Sequence, residues 1–117
     1  MTPPLSAGDV DVDPDRAGEL IDAGEVELVD VREPYEWDAG RIAGARHIAV
    51  QQLAAEAASL DRERPILFYC RTGSRSAMAA EAFRRAGYDA YNLDGGLVEW
   101  TRRGHALEPE DGTVANH

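Results

Sequence analysis

The segment Phe68-Tyr69-Cys70-Arg71-Thr72-Gly73-Ser74-Arg75-Ser76 sets the chain's one cysteine beside two arginines and a run of small polar residues. It reads as an apolar strand, a tight loop and the start of a helix. In such a turn Gly73 permits positive φ, and successive backbone N–H groups converge on one point as an anion-binding nest. A thiolate at Cys70 would occupy that point, favoured by the helix start and by the positive charge of Arg71 and Arg75. A free cysteine with a pKa of ~8.5 is only a few per cent ionised at neutral pH. Lowering that value by about two units would make most of it a nucleophile. The bland alternative is a small buried hydrophobe closing an apolar strand. Its neighbours argue against that, because Arg, Thr, Gly and Ser are poor core residues and good anion ligands.

A solitary cysteine forms no internal disulfide and no Cys-rich metal site, so no metal and no cofactor is expected. No histidine lies close in sequence to serve as a base; whether His47 approaches in space stays open. Twelve basic against 22 acidic residues give a formal charge of −10, which opposes nucleic acid and anionic membranes. The apolar runs are far short of a membrane span and Met1 opens no basic-then-apolar leader, so a soluble, cytoplasmic protein is expected. All basic residues are arginine. An acidic, lysine-free chain fits a halophilic, high-salt cytoplasm, where a Debye length near ~3 Å at 1 M screens self-repulsion.

These residues need a scaffold. Residues 1–13 read as a loose segment or short edge strand, 14–105 as one domain, and 106–117 as a disordered acidic tail. Within the domain, a helix over Asp15–Ala23 ends at Gly24. Strand candidates are Val26–Val31, Ala45–Val50, Ile66–Tyr69 and Ala90–Leu93. Helical segments are expected from Pro34 to Trp37, Gln51 to Leu60, Ser76 to Ala86, and from Gly96 through Trp100 to Gly104. Strands alternating with helices imply an α/β fold: a mostly parallel sheet of about five strands with helices on both faces. Such sheets carry their sites at the carboxyl ends of the strands, which is where Cys70 falls.

The chain resembles the rhodanese-like family from about Asp15 to Gly104. Leu28-Val29-Asp30-Val31-Arg32-Glu33-Pro34-Tyr35-Glu36-Trp37 is similar to the family's first signature, and Gly40-Arg41-Ile42-Ala43-Gly44-Ala45 to its Gly-His-Ile-Pro-Gly-Ala. The loop Cys70–Ser76 and the segment Leu93-Asp94-Gly95-Gly96-Leu97 to Trp100 complete the pattern. Arg41 stands for the usual His and Ala43 for the usual Pro, which makes that turn less rigid. The resemblance implies a sulfurtransferase in which Cys70 takes sulfane sulfur from thiosulfate or a persulfide. The sulfur is held as Cys-S-SH and passed to a thiol, cyanide or a sulfur-carrier protein. It further implies that the amides of Arg71, Thr72, Gly73, Ser74 and Arg75 hold the terminal sulfur, that Arg71 and Arg75 orient an anionic donor, and that Asp30 and Arg32 brace the loop. Trp37 and Trp100 fit as packing residues, and His105 and His117 as solvated ones.

Two rival readings come from other classes. Phosphatases and arsenate reductases of related folds clamp an oxyanion with Cys and Arg on one turn, but they place one more residue between the two than lies between Cys70 and Arg75. A catalytically silent interaction module would keep the fold without the cysteine, which here is present.

Overall fold

The computed structural model describes residues 9–117; the expectation for the first eight residues lies outside this range. Among the described residues the order is β1 (Asp11–Val12), α1 (Pro14–Asp22), β2 (Glu27–Asp30), α2 (Pro34–Ala39), β3 (Arg46–His47), α3 (Leu53–Glu56), β4 (Ile66–Tyr69), α4 (Ser74–Arg85), β5 (Ala90–Leu93) and α5 (Gly96–Arg102). The five strands form one sheet in the order β1-β5-β4-β2-β3, and every pairing is parallel. The expected α/β architecture is therefore present, with β4 in the middle and Cys70 just past its carboxyl end.

Alternation along the strands divides the core in two. Val29, Ile66, Phe68 and Cys70 face α3 and α4 with Leu53, Ala80 and Phe83, while Leu28, Leu67, Tyr69, Tyr91 and Leu93 face α1 and α5 with Leu20, Leu97 and Trp100. Burial on both faces is why Ile66-Leu67-Phe68-Tyr69 reads as an unbroken apolar run rather than an alternating one. Phe68 meets Phe83 edge-on at 5.0 Å between ring centroids, and Phe83 meets Tyr88 at 4.9 Å, closing the α4 face.

Helix boundaries follow local chemistry. The Asp13 carboxylate accepts the Asp15 N–H at 3.0 Å and starts α1 at Pro14. Gly73, at φ +103°, lets α4 begin at Ser74, two residues before the expected start. The alanine-rich stretch expected as one helix is broken into 3-10 turns at Val50–Gln52 and Ala57–Ser59 around a single α turn, with Leu53 and Leu60 buried against the sheet.

The tail departs from expectation. Rather than lying free, it returns along α2: Arg41 and Glu108 exchange backbone hydrogen bonds of 3.0 and 2.6 Å, and the Thr113 N–H reaches the Ala39 carbonyl at 2.8 Å. Leu107 and Val114 add apolar contact to the α1/α5 side of the core, which an acidic composition conceals. Gly40 makes room for this, since a Cβ there would stand 2.5 Å from the Thr113 carbonyl oxygen. Gly40→Ala is accordingly expected to expel residues 112–114 while leaving the sheet intact. Hydrogen exchange would show fast loss of protection at the Thr113 amide with β4 amides unchanged; slow exchange at Thr113 in the variant would contradict it.

Candidate functional site

Cys70 is fully buried where β4 ends, and the loop that follows is fixed from two sides. From above, the first turn of α5 donates to it: Leu97 N–H to the Cys70 carbonyl at 2.9 Å and Val98 N–H to the Arg71 carbonyl at 3.0 Å. In a trans peptide the N–H opposes the C=O, so the amides of Arg71 and Thr72 point away from α5. Gly96 permits this approach, as a Cβ there would come within 2.6 Å of the Arg71 carbonyl group. At the loop's far end the Gly73 N–H meets Cys70 Sγ at 3.1 Å. The expected convergence of backbone donors on sulfur is thus formed at one amide, with two more turned out of α5's way.

The remaining loop residues take distinct positions. Thr72 and Ser74 are exposed at the rim. Arg71 is half-buried; its Nε is buried and unpartnered, and among the described residues its side chain has no ion pair. For Arg75, expected to orient an anionic donor, the structure shows a partner within the protein. Both of its terminal nitrogens are engaged by Glu36, at 2.8 and 3.0 Å, in a bidentate pair. That pair fastens the start of α4 to α2. Burial of Glu36 opposes its ionisation, but the Arg75 donors and the Glu33 N–H at 2.9 Å outweigh it and hold the carboxyl below the usual carboxylate range.

Asp30 and Arg32, both wholly buried, form a second bidentate pair at 2.7–3.0 Å, and Arg32 Nη2 also reaches the Gly40 carbonyl at 2.7 Å. They brace the end of β2 and the turn after α2, rather than contacting the Cys70 loop directly. Tyr69 lies beneath Arg32, with the guanidinium carbon 5.6 Å from its ring centre, and burial followed by the Asp30 charge pushes its phenol upward. His47 is engaged by other groups: its Nε2 is 2.7 Å from the Arg32 carbonyl and its ring stacks on Trp37 at 5.0 Å. Arg41, in the place of the usual His, lies over the other partner of that stack, 4.9 Å from the Trp37 ring centre.

Three polar neighbours of the Cys70 loop are not singled out by the sequence. Glu36 sits 39 residues from Arg75, so only the fold pairs them. The Ser76 hydroxyl lies 3.3 Å from Cys70 Sγ and 2.5 Å from Asn92 Oδ1, inside the core. A usable signal existed for Asn92: it is a lone amide in a strand whose four residues are all buried.

The Glu36–Arg75 pair sets a pH dependence. A carboxyl depressed in the folded state stabilises the fold above its unfolded value of ~4.3, and this contribution is lost as pH falls through the folded value. Glu36→Gln should therefore destabilise by about 2 kcal/mol at neutral pH. The difference should shrink below pH ~4 in urea titrations; a difference independent of pH would refute the assignment.

Comparison with known proteins gives the family and the fold. The rhodanese-like domain model matches residues 13–103. The uncharacterized protein YqhL of Bacillus subtilis is 39% identical over 77 residues, covering 65% of this chain, which spans 61% of YqhL's length. The thiosulfate sulfurtransferase GlpE of Pseudomonas aeruginosa is 36% identical over 88 residues, covering 74% of this chain and 79% of its own. A crystal structure of a rhodanese-related protein from Thermoplasma volcanium superposes with a TM-score of 0.78 at 28% identity, covering 83% of this chain and 95% of that one. From its match over residues 13–103, the chain belongs to the rhodanese-like domain family.

Proposed function

We propose that this protein is a sulfurtransferase that carries sulfane sulfur on Cys70. The observation that carries the reading is the Gly73 N–H at 3.1 Å from Sγ, in a loop whose Cys70 and Arg71 carbonyls are held by α5. A thiolate there attacks the outer sulfur of thiosulfate or another anionic donor. The donor's S–S bond breaks, its electron pair leaves with sulfite from thiosulfate or with the thiolate of a persulfide donor, and Cys70 becomes a persulfide. The amides of Arg71 and Thr72, facing away from α5, are the donors available to the added sulfur, much as an oxyanion hole serves oxygen. An acceptor thiolate or cyanide then takes the terminal sulfur and returns the Cys70 thiolate. With no second cysteine to resolve the persulfide, the acceptor is external.

Arg71 is the loop's donor-binding cation in this scheme, since Arg75 is engaged by Glu36. The same engagement weighs against a phosphatase, whose arginine must be free to clamp phosphate.

Intact mass after brief exposure to thiosulfate tests the proposal. A gain of one sulfur atom is expected, reversed by cyanide and absent in Cys70→Ser; reduced, accessible Cys70 without gain from thiosulfate or a persulfide donor would refute it. Arg71→Ala should raise KM for thiosulfate roughly tenfold or more through loss of a charged contact. A fall in kcat at unchanged KM would instead place Arg71 outside donor binding.

A further inference from the structure

A second polar chain reaches Cys70 from the edge of the sheet. Asp11 on β1 accepts a hydrogen bond from Asn92 Nδ2 on β5 at 2.9 Å, and Asn92 Oδ1 accepts one from the Ser76 hydroxyl at 2.5 Å. The Ser76 oxygen in turn stands 3.3 Å from Cys70 Sγ. The direction of this chain follows from its first member. A carboxylate only accepts, so Asp11 fixes the Asn92 amide with its nitrogen outward and its oxygen toward Ser76. Ser76 has one proton and three acceptors in reach: Asn92 Oδ1 at 2.5 Å, and Sγ and the Gly73 carbonyl each at 3.3 Å. The shortest contact takes the proton, and the lone pairs are left facing sulfur.

We propose that Asp11 and Asn92 are positioning residues that hold the Ser76 hydroxyl proton away from Cys70, so that the sulfur meets an acceptor while it keeps its own proton. The hydroxyl turns to sulfur only when Asn92 releases it. On ionisation the proton that departs is that of Cys70 and goes to solvent; Ser76 keeps its own throughout. The arrangement opposes the Gly73 amide, which favours the ionised sulfur. Released from Asp11, the Asn92 amide can invert, offer Nδ2 to the Ser76 oxygen, and free the hydroxyl to donate to sulfur.

The other charged groups around Cys70 are Arg71 on its loop, Arg75 of α4 with Glu36 of α2, and the Asp30–Arg32 pair of β2; α5 meets the loop through backbone N–H groups. None of these is altered by changing Asp11, which is exposed on an edge strand. The proposal deepens the sulfurtransferase reading, on which its catalytic meaning rests, but its test uses no sulfur donor.

Ultraviolet thiolate absorbance, with Cys70→Ser subtracted, gives the pH midpoint of Cys70 ionisation. Spectra would be taken in about 1 M KCl, where the Debye length is ~3 Å and the bare field of an exposed carboxylate is suppressed. Asp11→Ala should move the midpoint down by about one pH unit in the native background, the scale of one hydrogen bond to a charged group. In a Ser76→Ala background the same substitution should move it not at all. Equal shifts in both backgrounds would mean that Asp11 acts by its field, and no shift in either would mean that the chain does not reach sulfur; each overturns the proposal. Circular dichroism confirms that each variant is folded. Persulfide loading, measured separately by mass, fails only if the sulfurtransferase reading fails.

Discussion

A trans peptide cannot show its carbonyl and its N–H to the same side, and the site is built on that restriction. Leu97 and Val98 of α5 take the Cys70 and Arg71 carbonyls, which obliges the following amides to face elsewhere. The cradle at Cys70 is therefore not a property of its loop alone. It depends on the entry of α5 and on the absence of a side chain at Gly96, where the Arg71 backbone passes within 2.6 Å of an ideal Cβ. A segment that carries no chemistry of its own thus decides which way the loop's donors point.

Charge is arranged in two buried or half-buried bidentate pairs that hold elements rather than ligands. Arg32 with Asp30 ties the end of β2 to the turn at Gly40, and Arg75 with Glu36 ties α4 to α2. In each case two donor nitrogens meet one carboxylate, which offsets much of the cost of burying the charges, although Arg32 Nη1 stays buried without a partner. The tail adds to this side of the molecule, placing His117 Nδ1 3.3 Å from Glu36 Oε1. What results is a cysteine flanked by rigid supports, with Arg71 as the cation on its own loop that no carboxylate claims among the described residues.

Much of this was legible in the residues. Gly73 and the apolar run before Cys70 specify strand, turn and helix through local conformational preference, and periodicity placed β4, β5 and α1 to within a residue or two. What escaped was non-local. A sequence shows that Arg75 is charged but not that Glu36, 39 positions earlier, will reach it, since that depends on where α2 settles. The tail was misjudged because composition weighs its acids and not the two backbone contacts that dock it at Ala39 and Arg41. Asn92 and Ser76 belong to a third kind: their burial in apolar surroundings was foreseeable, and a buried polar residue implies a partner, but the partner's identity had to come from the register of β5 beside β4 and β1.

The parallel order β1-β5-β4-β2-β3 bears on how the surroundings of Cys70 come to be assembled. The groups touching Cys70 or its loop are drawn from α4, β5 and α5, and Asp11 of β1 reaches them through Asn92, so that residues from opposite ends of the sequence, Asp11 and Leu97, serve one turn. Such contacts form only after long segments have been brought together, and parallel pairing is among the slower ways of doing so. Partly folded chains, whether newly made or transiently opened, hold the cysteine without its cradle. The setting of the sulfur is consequently a property of the completed fold, because the strands and helices that supply it meet only when the sheet has closed.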